Sequence, residues 1–245
     1  MSQYQPFSGF QELFAHAPQN SGSDKYAYHG YHRFYPRHLE CFHNSAGNFL
    51  EIGIHEGRSI DLWKSCFPRA FIHGVDINIE HAGDRFCVHR CDQSDRHSLG
   101  LLAAEIGAAF AVVDDGSHIP EHQLVSFDVL FSGLLIPGGI YIVEDMEVSY
   151  WRRGEIYGYP ASYGREDSRS CINVLKSLAD WINRKFLSEA DRCCLERYLL
   201  SRGLSRKTCD AVASMEFAEN CVILRKRECW EAEYENKLHL HPQNV

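Results

Sequence analysis

The stretch Val112-Val113-Asp114-Asp115-Gly116-Ser117-His118 packs two carboxylates, a glycine and a histidine together behind an apolar run. Residues 110–113 read as a buried strand that breaks into a tight turn. Parallel-sheet enzymes place their chemistry at the carboxyl ends of strands. A second acidic tip follows. Pro137-Gly138-Gly139 turns the chain, 140–143 runs as a short apolar strand, and Glu144-Asp145 ends it. If the two strands lie close, Asp115, Glu144 and Asp145 converge with His118 beside them. Like charges crowded together raise one another's pKa, and a bound cation relieves the crowding. Oxygen donors select a hard ion, Mg²⁺ first, with Mn²⁺ and Ca²⁺ as alternatives. The competing reading is structural. Asp-Gly and Asp-Asp-Gly are ordinary turn sequences, and a lone Asp115 or His118 more often caps a turn than binds an ion.

A second constellation lies upstream. Asn48 to Ser59 reads as an apolar strand, glycines at 53 and 57, and a helix over 59–67. Glycines at such a turn let the backbone approach a ligand closely. The spacing is G-x-x-x-G rather than the dinucleotide G-x-G-x-x-G. Glu51, an acid near the end of a buried strand, strengthens the signal because a buried carboxylate needs partners. Asp76 ends the next strand (70–75), 19 residues after Gly57. An acid at that offset is placed to bind a ribose diol. Asp92-Gln93 sits at the tip of a third strand, 85–89.

The elements that must position these tips alternate. Strands at 70–75, 85–89, 110–115 and 140–145 interleave with helices at 59–67, 98–106 and 121–135, which predicts an α/β fold with a doubly wound, mostly parallel sheet. Helices are expected at 7–17, 34–42, 170–186 and 188–201. Strands at 211–217 and 221–225, joined at Glu219-Asn220, would make the last strand antiparallel. Residues 24–32 are dense in aromatics and histidine and read as a core-facing arm or a segment covering a ligand. Residues 147–165 hold Tyr150, Trp151, Tyr157, Tyr159 and Tyr163 with Gly154, Gly158 and Gly164, which suits a lid or acceptor loop. The expected organisation is one domain over 1–245, with 1–43 as an N-terminal helical segment on the substrate side.

The 245 residues carry a net charge of −8, which argues against a nucleic-acid partner. No apolar run reaches the roughly 18 residues of a membrane helix, and 1–8 is polar without a signal-peptide core. The 10 cysteines show no Cys-x-x-Cys pair and sit partly in apolar stretches, so reduced thiols in a cytoplasmic protein are expected. No ligand spacing supports a zinc site. The expected partner is a small-molecule acceptor, with no nucleic acid and no membrane, and a homo-oligomer is left open.

Leu50-Glu51-Ile52-Gly53, Gly74-Val75-Asp76-Ile77, Asp92-Gln93-Ser94-Asp95, Asp114-Asp115-Gly116-Ser117-His118 and Val143-Glu144-Asp145-Met146 occur in an order that resembles the class I S-adenosylmethionine-dependent methyltransferases. Within that class the chain looks most like the Mg²⁺-dependent sugar O-methyltransferases of macrolide and related antibiotic biosynthesis. Asp24-Lys25 followed by His29-Gly30-Tyr31 is similar to their substrate-side segment. The resemblance covers roughly 24–151. It implies a Rossmann-like methyltransferase fold with S-adenosylmethionine and Mg²⁺ as cofactors. Glu51 and Gly53 would line the methionine part, Asp76 would take the ribose, and Asp92 or Gln93 the adenine side. Gly57, Ser59 and Asp114 complete the implied cofactor set. Asp115, Glu144 and Asp145 would bind the metal, and His118 would act as general base with Asp115 in the catalytic set.

The implied reaction is methyl transfer to a hydroxyl of a small natural product, such as its sugar moiety. A sugar hydroxyl is a poor nucleophile at neutral pH. A metal can orient and acidify it, and a histidine can accept its proton. Two other readings use the same residues: a metal-dependent hydroxylase or hydrolase, and a non-catalytic cofactor-binding protein.

Overall fold

A computed structural model describes residues 9–14, 22–152 and 163–231. Its strands are β1 (Asn48–Ile52), β2 (Phe71–Asp76), β3 (His81–Gly83), β4 (Phe86–Arg90), β5 (Ala109–Asp114), β6 (Leu135–Val143), β7 (Val212–Ala218) and β8 (Cys221–Lys226). They form a single sheet in the order β3-β4-β2-β1-β5-β6-β8-β7. The block from β4 to β6 is parallel. β8 runs antiparallel to β6, and to β7 across the tight Glu219-Asn220 turn. The α/β, mostly parallel sheet with an antiparallel last strand is therefore present. β3, an exposed edge strand antiparallel to β4, was not anticipated, because three residues are too short to show a period.

The helices are α1 (Asp24–Ala27), α2 (Pro36–Leu39), α3 (Arg58–Cys66), α4 (Arg96–Ile106), α5 (Pro120–Gly133), α6 (Cys171–Ile182), α7 (Glu189–Ser201) and α8 (Arg206–Ala211). Asp95 caps α4 by accepting from His97 N, and Pro120 opens α5, where a missing N–H does no harm. Three boundaries differ from expectation. The helix expected over 34–42 is the single turn α2 extended by a 3₁₀ turn. α5 stops at Gly133 because Leu135 already pairs with Ala109 in β6. Pro137-Gly138-Gly139 does not precede that strand but bulges within it. The register jumps from Ala109↔Leu135 to Ala111↔Ile140, with Gly138 at φ +77°. The lid expected over 147–165 and the helix expected over 7–17 lie partly outside the described residues. At their described ends, Met146–Tyr150 is a 3₁₀ turn and 10–14 is helical.

Both sheet faces are covered, which is why β5 is buried along its whole length. Phe49, Ile72, Val113 and Ile142 pack with Trp63 and Phe67 of the α3 region and with Tyr31 and Tyr35 of the N-terminal segment. Leu50, Val75, Val112 and Tyr141 pack with α4, α5 and α6 through Leu99, Phe127 and Leu178. All 10 cysteines are free thiols. Among the described residues, no helix is long and apolar enough to cross a membrane.

Candidate active site

Strand alternation sorts the acids. Glu51 is opposite Val113, and Val113 opposite Ile142, so these three share a face. Two residues further on, Asp115 and Glu144 leave β5 and β6 toward that same face, while Asp114 points to the other. The parallel tips thus bring Glu51, Asp115 and Glu144 together, and a lysine from the N-terminal segment meets them. Lys25, 1 % exposed, places Nζ 2.6 Å from Asp115 Oδ2, 2.7 Å from Glu144 Oε2 and 3.3 Å from Glu51 Oε1. Burial opposes the ammonium charge, yet Asp115, Glu144 and Glu51 together hold its pKa well above the ordinary lysine range. Burial also pushes the carboxyls up: Glu144 well above its usual range with Asp115 adding to the rise, Asp115 with Asp145 adding, and Glu51 against the pull of Lys25. One ammonium leaves this group short of positive charge.

Asp145 follows in a left-handed conformation (φ +52°), which swings it off the strand line. Its Oδ1 accepts from Tyr31 Oη at 2.8 Å and from Asn220 Nδ2 at 3.0 Å, so the β7–β8 turn braces it. His118 Nε2 lies 3.4 Å from Asp145 Oδ2, and His29 Nδ1 lies 3.4 Å from Asp145 Oδ1. Asp115, His118 and Asp145 each offer one ligand atom, all within 4.8 Å of one another. The two carboxylates at that separation suit a hard divalent ion, and the imidazole lies beside them. Glu144 stands outside this group. Its Oε2 is engaged by Lys25 and its Oε1 accepts from Tyr35 Oη at 2.7 Å. Residues 115–119 run as an irregular connection with His118 at φ +56°, and α5 begins at Pro120.

A cavity of about 760 Å³ opens beside this cluster. Of the residues expected to bind a cofactor, Gly53, Ser59, Asp76, Asp92 and Gln93 line it, together with Lys25, Asp115, His118 and Asp145. Glu51, Gly57 and Asp114 do not. Glu51 is fully buried beneath the floor, where it accepts from Ser59 Oγ and faces Lys25. Gly57, at φ +79°, is the cap residue of α3. Asp114 is turned into the core, accepting from Gln93, Ser126 and Tyr141, and burial raises its carboxyl to about 6.

Gly53, which lines the cavity, is also needed for a protein contact. At φ +86°, a Cβ there would sit 1.9 Å from the Asp115 carbonyl oxygen. Gly53→Ala should cost about 2–5 kcal/mol from left-handed strain plus overpacking, read as a lower denaturation midpoint. A midpoint equal to that of the wild type would refute this packing account.

Asp76 is held by four backbone N–H groups. Oδ2 accepts from Ile54 and His55, and Oδ1 from Asn78 and Ile79. The carboxylate is thereby fixed on the cavity wall at the tip of β2. If the cavity takes the cofactor that the sequence resemblance implies, Asp76→Ala should weaken S-adenosylhomocysteine binding by about 1–3 kcal/mol, measured by calorimetry on a variant with an unchanged circular dichroism spectrum. Unchanged affinity would refute a ribose contact.

Sequence reading missed Lys25, Tyr35 and Asn220 as members of the site. For Lys25 the signals were the density of polar aromatics, histidine and lysine in 24–32 and the resemblance of Asp24-Lys25 to a substrate-side segment; for Tyr35 and Asn220 there was none.

No family model matches the chain. Curated relatives include the 8-demethyl-8-alpha-L-rhamnosyl tetracenomycin-C 2′-O-methyltransferase of Streptomyces olivaceus, 35% identical over 84% of this chain and 52% of the relative. The demethylmacrocin O-methyltransferase of Streptomyces fradiae is 37% identical over 66% of this chain and 42% of the relative. The chain thus spans about half the length of the curated relatives it matches. Among solved structures, the MycE methyltransferase from the mycinamycin pathway, in complex with Mg, SAH and mycinamycin VI, superposes with a TM-score of 0.73 at 28% identity. That match covers 88% of this chain and 53% of the other. The chain therefore has the class I S-adenosylmethionine-dependent methyltransferase fold and is related in sequence to the sugar O-methyltransferases of antibiotic biosynthesis.

Proposed function

We propose that this protein is an S-adenosylmethionine-dependent, divalent-cation-dependent O-methyltransferase acting on a hydroxyl of a small natural product, with a sugar hydroxyl as the favoured acceptor. The observation that carries this reading is the meeting of the cavity with the Asp115–His118–Asp145 group at the carboxyl end of the parallel sheet. Bound S-adenosylmethionine would supply an electrophilic methyl group, and a divalent ion would orient and acidify the acceptor hydroxyl. Asp115 and Asp145 would hold that ion. Glu144 would join them by exchanging its bond to Lys25 or Tyr35. His118, which lines the cavity beside Asp145, takes the acceptor proton at an imidazole nitrogen as the methyl group arrives. Gly53, Ser59 and Asp76 line the cofactor side, and Asp92 and Gln93 the adenine side. Tyr31 and Asn220 fix the Asp145 carboxylate, so the remaining task is in-line positioning of donor and acceptor.

Residues 147–165 are assigned to the acceptor side, and 1–43 to the substrate-side segment. The free thiols suit a reducing cytoplasmic setting. Calorimetry with S-adenosylhomocysteine, followed by methyl transfer to a panel of glycosides, tests the reading. Absence of cofactor binding would sink it. Binding without transfer to any hydroxyl would favour a non-catalytic cofactor-binding protein.

A further inference from the structure

Lys25 is a buried cation on α1, a helix of 4 residues. Its ammonium has three N–H donors and no acceptor, and it meets the three carboxylates that end the adjacent strands β1, β5 and β6. A buried ammonium without such partners would be prohibitively unfavourable. The same segment sends Tyr31 Oη to Asp145 and Tyr35 Oη to Glu144, with the two rings stacked at 5.1 Å. Residues 22–35 are thus fastened across the strand ends by polar bonds to acids. Two of those acids serve different parts of the cavity. Glu51 also accepts from Ser59, on the cofactor side. Asp115 belongs to the donor group with His118 and Asp145. Gly22, Ser23, Asp24 and Lys25 themselves line the cavity.

We propose that Lys25 is a positioning residue: it pins the 22–35 segment over the cavity and ties the cofactor face to the acidic donor group, so that occupancy of one is felt at the other. The coupling rests on the methyltransferase reading for the identity of its two ligands; the pinning does not. Lys25→Met keeps most of the side-chain volume and removes the charge. Lys25→Gln retains a donor and serves if the first variant does not fold.

Two measurements on the full chain test the proposal. The first is hydrogen exchange of the ligand-free protein at the Tyr28, His29, Phe34 and Tyr35 amides, which bond to the carbonyls of Asp24 and Tyr31. Exchange there should rise by about 10-fold or more in the variant while β1, β5 and β6 keep their protection. The second is calorimetry of S-adenosylhomocysteine with and without Mg²⁺. Wild type should show several-fold tighter binding with Mg²⁺, and the variant a ratio near unity. A lysine that only stabilised the fold would lower the melting temperature and leave that ratio unchanged. Unaltered protection of the four amides overturns the proposal, as does a Mg²⁺ dependence that survives the substitution. If wild type binds neither ligand, the methyltransferase reading and the coupling fall together, and hydrogen exchange alone decides the pinning.

Discussion

His118→Ala is expected to lower kcat by about 10²–10⁴-fold while S-adenosylhomocysteine and Mg²⁺ bind nearly as before. His118 lines the cavity, with Nε2 3.4 Å from Asp145 Oδ2. Its position comes from the backbone: φ +56° turns the residue out of the β5 tip two residues before Pro120 starts α5. Alanine at this left-handed position removes the imidazole and adds little backbone strain beyond what histidine already bears. The neighbouring Ser117 Oγ stays tied to His122 Nδ1 at 2.9 Å, and Ser117 N donates to Gln93 Oε1, which keeps the turn in place. A proton acceptor acts in the transition state, and its loss lowers kcat with little change in ground-state binding. An imidazole that instead ligates the ion would take Mg²⁺ affinity down with the rate. Steady-state kinetics beside metal calorimetry separates the two roles, and an almost unchanged rate would remove His118 from the chemistry.

The parts of this site that could be read from sequence follow a local rule. The strand tips at Asp76, Asp92, Asp115 and Glu144-Asp145 announce themselves through apolar runs that end in an acid, and parallel strands bring such tips to one edge. Side-chain parity was equally available but went unused: adjacent strand residues point to opposite faces, so Asp114 and Asp115 could not both face the cavity. Asp114 went to the α5 face, where Gln93, Ser126 and Tyr141 meet it. Lys25 was beyond local reading because its partners lie 90 and 119 residues away and its helix spans four residues. The need for a cation among crowded carboxylates was legible; that a side chain supplies part of it was not. Gly53 was read as making room for a ligand; it lines the cavity and in addition accommodates the backbone of Asp115. Only the assembled sheet brings those two turns into contact.

Stripping divalent ions with excess chelator should abolish turnover, and Mg²⁺ should restore it. The charge distribution gives the reason. Glu51, Asp115, Glu144 and Asp145 gather around the single ammonium of Lys25 and the imidazoles of His29 and His118. Burial, with mutual repulsion behind it, raises the Asp115 and Glu144 carboxyls. A divalent ion reverses that balance, because a bound cation is the largest local charge and favours the ionised carboxylates. The ion should therefore also stabilise the ligand-free protein, by about 2.7 kcal/mol when present at a hundredfold excess over Kd. Thermal unfolding with and without Mg²⁺ reads this independently of catalysis. Asp115→Asn and Asp145→Asn should each remove most of the Mg²⁺-dependent shift, since these are the two carboxylates that would hold the ion. Glu144→Gln should remove less, because its oxygens already have partners in Lys25 and Tyr35. Full turnover in metal-free protein, or a melting temperature indifferent to Mg²⁺, would leave the cluster as a lysine-centred hydrogen-bond network with no ion to hold.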